Sequence, residues 1–226
     1  MGARGPARDD AVVDEDQRRE VLRGAEEEAR RVSRAHGRAS AQAEAARRRC
    51  LELERSTAAE LGWPYAEPAE LGVRWDAGAP RPVLLSGLRT FVAFYLGVRD
   101  PRSDRPDPGR PDPLTDHGIG VVEFKQVTSV KIGSPNDEVL HGHPLWGSGL
   151  EHYRAHEVRN SPWITELVNV NRVHERFDES RWSGTRHFIL TFHDESLECV
   201  ARRTVTRGAP GATMAEVIAR LSREAL

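Results

Sequence analysis

The chain has 226 residues and a mass of 25.2 kDa, enough for one full domain with an appendage or for two small ones. Its formal net charge of -2, from 33 basic and 35 acidic residues, gives no global excess to draw it to nucleic acid or an anionic membrane. Two well-separated cysteines, Cys50 and Cys199, exclude a disulfide scaffold and a multi-cysteine zinc module. With no apolar run near 18 residues and no hydrophobic leader, the expectation is a soluble cytoplasmic protein with no membrane partner.

Aromatic residues divide the chain. Residues 1–62 have none, whereas residues 63–200 hold all five tryptophans, six phenylalanines and three tyrosines with eight of the nine histidines. Aromatic side chains dominate the burial in a small core, so 63–207 reads as the folded domain, 1–62 as a charged helical arm and 208–226 as a C-terminal helix. In the arm, Leu22, Ala25, Ala29, Val32, His36, Ala39, Ala43, Ala46, Cys50, Leu53 and Thr57 keep a 3-4 spacing, the period of a coiled-coil seam. Three readings stay open: a long helix that self-associates or packs on a partner, a solvated helix that frays, or a hairpin in which His36-Gly37 ends one helix and Ser40 caps another. The run before Asp14 is expected to be disordered.

The domain reads mainly as strands. Val83 to Leu96 is apolar, with a turn or bulge at Ser86-Gly87. Residues 99–118 carry five prolines among many Asp and Arg and read as an exposed extended loop. Ile119 to Ile132 reads as a long strand bulged near Gln126. Pro162 to Arg172 reads as a helix with Ser161 as N-cap and Pro162 at the first helical position. His187 to Phe192 and Leu197 to Ala201 read as a β-hairpin, and Thr213 with Glu216 forms a capping box for the last helix. The expected fold class is α+β: an antiparallel meander sheet, barrel-like where it curls, with one packed helix, preceded by a long Ala/Glu/Arg-rich helical arm.

The densest polar segment runs from Leu140 to Ser161, with four histidines, two glutamates, a tryptophan and a tyrosine in 22 positions. Loops so rich in titratable and aromatic groups are where binding sites sit. His141 and His143, two apart, point to one side of an extended backbone and form the candidate metal pair, for a divalent transition metal. His152 and His156, four apart, align on a helix and align again if Tyr153 to Arg159 is a strand. His143, Glu157 and His193 are the candidate catalytic residues; Trp146, His152, Tyr153, His156, Asn160 and Trp163 are the candidate ligand-binding residues. Cys199 on the return strand of the hairpin lies within reach of His187 or His193 if the register allows a nucleophilic dyad, against a plain core role. Arg202, Arg203 and Arg207 read as a solvated basic edge. No nucleophile elbow, P-loop or dinucleotide fingerprint is present.

Pro135-Asn136-Asp137-Glu138, His141-Gly142-His143-Pro144-Leu145, Glu157-Val158 with Asn160-Ser161 and Trp163-Ile164, and Phe192-His193-Asp194 with Glu198-Cys199 resemble motifs of a family of bacterial α+β proteins. The resemblance spans about Val121 to Ala201 and implies a fold unit, with no activity attached. Three functions follow from the residues: a small-molecule-binding domain whose His/Trp-lined cleft takes a small polar ligand; a metal-dependent hydrolase or oxygenase-like enzyme using His141 and His143; or a protein-interaction module acting through its N-terminal helix.

Overall fold

Gly37 decides the shape of the arm. Its φ of +87° is left-handed backbone that glycine adopts without strain, and it ends helix α1 (Asp9–His36). Ser40 then accepts the Ala43 amide at 3.1 Å and starts α2 (Ala41–Glu60). In this computed structural model, which describes residues 9–79, 81–97 and 118–226, the arm is therefore a helical hairpin. Part of the 3-4 seam is used inside the chain, where its Ala29, Ala43, Cys50 and Thr57 are buried, while His36 and Ala39 stay exposed. Helix α1 is described from Asp9 onward; residues 1–8, most of the run before Asp14, and nearly all of the proline-rich loop fall outside the described residues.

Nine strands, all paired antiparallel, form two sheets among the described residues. They are β1 (Tyr65–Pro68), β2 (Val83–Ser86), β3 (Thr90–Tyr95), β4 (Ile119–Lys125), β5 (Ser129–Gly133), β6 (Ala155–Arg159), β7 (Arg186–Thr191), β8 (Ser196–Ala201) and β9 (Arg203–Ala209). The order is β1-β6-β7-β8-β5 in one sheet and β2-β3-β4-β9 in the other. The fold class is α+β as expected, but the sheet does not close into a barrel. The expected strand from Ile119 to Ile132 breaks at Gln126, whose φ is +54°, and the chain passes from one sheet to the other. The β8–β9 corner crosses beside it, tied by the Arg202 amide to Lys125 O at 3.0 Å and the Thr128 amide to Val200 O at 2.8 Å. A sheet that folds over itself at such corners buries a face without curling shut.

Strand alternation assigns the layers. Val92, Phe94, Val122 and Phe124 of the four-stranded sheet meet Phe188, Leu190, Leu197 and Cys199 of the five-stranded sheet. Trp75 closes one end of this core against Phe94 and Phe192, and its indole N–H donates to Thr191 O at 2.9 Å. On the outer side of the four-stranded sheet, Phe91, Ala93, Ile119 and Val121 pack on Val217, Leu221 and Ala225 of α4 (Met214–Ala225). On the outer side of the five-stranded sheet, Leu140, Leu145 and Leu150 cover Ala66, Val158 and Ile189. Helix α3 (Pro162–Asn171) starts at the Ser161 cap, as its sequence predicts.

Candidate ligand-binding cleft

A cleft of about 700 Å³ lies between the helical hairpin and the segment 146–154. One wall is a stripe of α2: Arg47, Cys50, Leu51, Glu54 and Arg55 recur at i, i+3, i+4, i+7 and i+8, the spacing that puts side chains on one helix face. Glu26, Ala29 and Arg30 of α1 extend it. The opposite wall carries Trp146, Leu150, Glu151, His152 and Arg154.

The floor is a polar latch that joins the two walls. Arg55 donates to Ala66 O and Gly149 O, each at 2.9 Å, and to Glu151 Oε1 at 2.6 Å. Glu54 Oε2 accepts the Gly149 amide at 2.9 Å, and the Cys50 thiol approaches Glu54 Oε1 at 3.5 Å. Gly149 has a φ of +88°, and a Cβ there would stand 2.6 Å from Ala66 O and from the Arg55 side chain. Burial raises the Glu54 carboxyl above the ordinary glutamate value, and burial with the Glu54 charge pushes the Cys50 thiol up to about 12. Cys50 is thus a neutral thiol at pH 7, short of the thiolate a nucleophile needs.

Three of the sequence-predicted ligand residues come together. Trp146, 43% exposed, makes a T-shaped contact with the His152 ring at 5.4 Å between centroids, and His152 lies 5.9 Å from the Tyr153 ring. Tyr153 in turn donates its hydroxyl to Asp137, whose Oδ2 also accepts His193 Nδ1 at 2.8 Å. Partial burial lowers the His152 pKa, and the Asp137 carboxylate raises that of exposed His193. With its Nδ1 tied to a carboxylate, His193 carries its free edge toward solvent.

The other candidates stand elsewhere. His156 is fully buried on β6, its Nε2 accepting the Glu151 amide at 3.2 Å, so it backs the cleft instead of lining it. Its expected alignment with His152 fails because Tyr153, at φ +53°, turns the chain before the strand begins. Glu157 is buried and held by Arg159 at 2.8 Å and by Arg186. Asn160 donates to Trp63 O at 3.1 Å. Trp163 packs edge-on against His187 at 5.1 Å, with Lys131 Nζ over its ring at 4.7 Å. His141 is exposed on the turn over Leu140–Gly142. His143 accepts the Leu145 amide at 3.1 Å, and its Nε2 faces Glu198 at 3.7 Å. No group of three or more His, Cys, Asp or Glu side chains that could hold a metal ion forms among the described residues.

A second relay, not foreseen in the sequence, lies on the outer face of the five-stranded sheet. The Ser161 hydroxyl and His187 Nδ1 are 2.9 Å apart, and His187 Nε2 is 2.9 Å from Glu198 Oε2. Burial raises the Glu198 carboxyl, but the neighbouring His143, His187 and Lys131 outweigh it and hold the group well below the usual carboxylate range. The order hydroxyl, imidazole, carboxylate is that of a nucleophilic triad. Three facts make it structural. Ser161 is buried, its oxygen already accepts the Ile164 amide at 3.2 Å as the α3 cap, and the next residue, Pro162, has no N–H for an oxyanion. Cys199 takes no part: the register sets it opposite Phe188, in the core, while His187 faces outward. Burial pushes the Cys199 thiol up to about 12.

No protein-family model matches the chain, and neither the curated proteins nor the solved structures contain a match. The motif resemblance therefore rests on its residues alone. Sequence reading missed Arg47, Glu54 and Arg55, because Arg55 meets Gly149 94 positions away and no local pattern announces that pair. The signal present was the i, i+3, i+4, i+7 repeat of α2, in which the polar positions were passed over beside the apolar seam.

Proposed function

We propose that this protein is a soluble, cytoplasmic binding protein for a small polar molecule held between the helical hairpin and the Trp146–Arg154 wall. The observation that carries this reading is the cleft of about 700 Å³, within the range of about 300–1,000 Å³ typical of small-molecule sites. Its composition supports it: an exposed indole for stacking, an imidazole beside it, and charged groups on both walls. The metal-enzyme alternative has no cluster of ligands among the described residues to rest on. A partner helix would find the seam partly occupied, because its Ala29, Ala43, Cys50 and Thr57 are buried within the chain.

The test is a thermal-shift screen of small carboxylates, phosphates, amines, sugars and nucleosides against the full chain and a Leu51→Trp variant, which places an indole in the cleft. Compounds that raise the melting temperature of the wild type and lose that effect in the variant support the reading. If no compound shifts the wild type, or the shifts are identical in both proteins, the cleft is not the binding site.

A further inference from the structure

We infer that the ligand of the cleft is a planar anion, an aromatic or heteroaromatic ring bearing a carboxylate or phosphate, with its ring on Trp146 and its charge on Arg47. The inference rests on the proposed binding function and names its ligand class.

Four of the five arginines lining the cleft are already paired. Arg30 reaches Glu26 at 3.2 Å, Arg48 stands 3.9 Å from Glu44, Arg55 meets Glu151 at 2.6 Å and Arg154 meets Glu151 at 3.0 Å. Arg47 has no ion-pair partner among the described residues, and it lies one turn before Cys50 and Leu51 on the stripe that faces the cleft. An unpaired guanidinium beside a partly enclosed site offers a planar fork matched to carboxylate or phosphate. Of the five glutamates in the lining, Glu26, Glu44 and Glu151 are the partners of those four arginines. Glu54 is locked by the Gly149 amide and Cys50, with its carboxyl raised by burial, so the floor holds less negative charge than a glutamate count suggests. Glu52, also in the lining, is five residues on from Arg47 and so about 140° around the helix.

The opposite wall selects the ring. The Trp146 indole is 43% exposed in the cleft lining, and the His152 ring stands against it in a T-shaped arrangement, 5.4 Å between centroids. No hydrogen-bond partner meets the His152 ring nitrogens among the described residues, so they are available to a heteroatom of the ligand. A flat, polarisable body with a heteroatom satisfies both groups; an aliphatic chain meets only the indole.

Isothermal titration of the full chain with four probes tests this: 2-naphthoate, its neutral counterpart 2-naphthylmethanol, the cation 2-naphthylmethylammonium, and non-aromatic cyclohexanecarboxylate. The expected order places 2-naphthoate first. Arg47→Ala weakens it by about tenfold, as loss of a charge-assisted contact does, and leaves 2-naphthylmethanol unchanged. Trp146→Leu weakens both naphthyl compounds. Both side chains are exposed, and unchanged melting of the unliganded variants establishes that they fold. A neutral or cationic probe that binds as well as 2-naphthoate, or 2-naphthoate affinity untouched by Arg47→Ala, overturns the inference. If such a ligand is lost in Leu51→Trp, the cleft reading stands while this one falls. If no probe binds and the screen yields no ligand sensitive to Leu51→Trp, both fall.

Discussion

At the scale of single residues, two histidines respond to pH in opposite senses. His156 has no exposed surface, and burial together with the nearby Arg55 and Arg154 charges lowers its pKa from 6.5 to about 3. Because Nε2 accepts the Glu151 amide, the neutral ring carries its hydrogen on Nδ1, which has no partner among the described residues, and a second proton would have to displace the bond at Nε2. Between pH 6.5 and 3 the unfolded chain takes up a proton that the folded one refuses, and stability falls as pH falls, by about 1.4 kcal/mol per unit. His156→Gln, which keeps an acceptor for the Glu151 amide, is expected to flatten this acid limb in urea unfolding from pH 7 to 4. Superposable limbs for the two proteins contradict that. His193 behaves the other way. Asp137 raises its pKa above 6.5, so the pair's contribution is complete below that value and is lost as pH rises through the folded one. The Asp137 carboxyl is itself lowered from 3.8, first by the Tyr153 hydroxyl and then by His193, which keeps the pair charged across mildly acidic pH. Proton NMR of the imidazole resonances is expected to show His193 titrating late in the wild type and close to an ordinary histidine in Asp137→Asn; equal midpoints would mean that the two side chains do not pair in solution.

At the scale of elements, helix α4 is held by charge as well as by its apolar face. Glu123 of β4 is almost wholly buried beneath it, with Arg89 Nε at 2.7 Å, Lys125 alongside and Arg207 at 3.4 Å. Arg89 and Arg207 both lie over the Phe91 ring, at 4.9 and 5.7 Å, and both reach Glu224 of α4. Burial alone would raise the Glu123 carboxyl, but the hydrogen bonds from Arg89 and Lys125 take it down to about 2. Glu123→Gln removes the one anion that three cations share, and is expected to lower stability by about 2–3 kcal/mol, since those cations are partly solvated. Glu224→Gln, nearer solvent, is expected to cost less than about 1 kcal/mol. Equal effects in urea unfolding would show that Glu123 is not the centre of the network. Arg207 was expected as part of a solvated edge, and its role here explains why β9 was illegible: Thr204, Val205 and Thr206 are β-branched, but the arginines around them look like surface until β4 and α4 are in place. The hairpins β2–β3 and β7–β8 and the capped helices α3 and α4 were legible, because a turn or a cap is written within a few residues. Strand β1 was not, since Pro68 in a four-residue strand weakens the local pattern and its pairing with β6 is remote.

For the whole molecule, the question is whether the hairpin is a fixed wall or a separable one. The aromatic half of the cleft was legible, because Trp146, His152 and Tyr153 crowd into one segment; the helical half was not, because its attachment depends on Arg55 and Gly149. That attachment is mostly polar. Arg55 supplies three hydrogen bonds across it, Glu54 a fourth, and the buried small residues of α2, such as Ala43 and Ala58, remove little apolar area. The core between the two sheets uses no residue of either helix. Loss of the Arg55 fork should therefore loosen α1 and α2 as a unit and leave the sandwich intact, the behaviour of a region of low local stability on a stable base. Arg55→Ala is expected to speed amide hydrogen exchange throughout both helices while exchange in β3, β4, β7 and β8 stays slow, at a local cost of about 3 kcal/mol for its charge-assisted bonds. Gly149→Ala, which drives a methyl into Ala66 O and the Arg55 side chain, is expected to give the same pattern. Because the α2 stripe is half of the cleft, each variant should also weaken any ligand whose binding Leu51→Trp abolishes. Faster exchange spread evenly over helices and strands would instead make the hairpin an integral part of one cooperative unit, and the cleft a rigid feature of the fold.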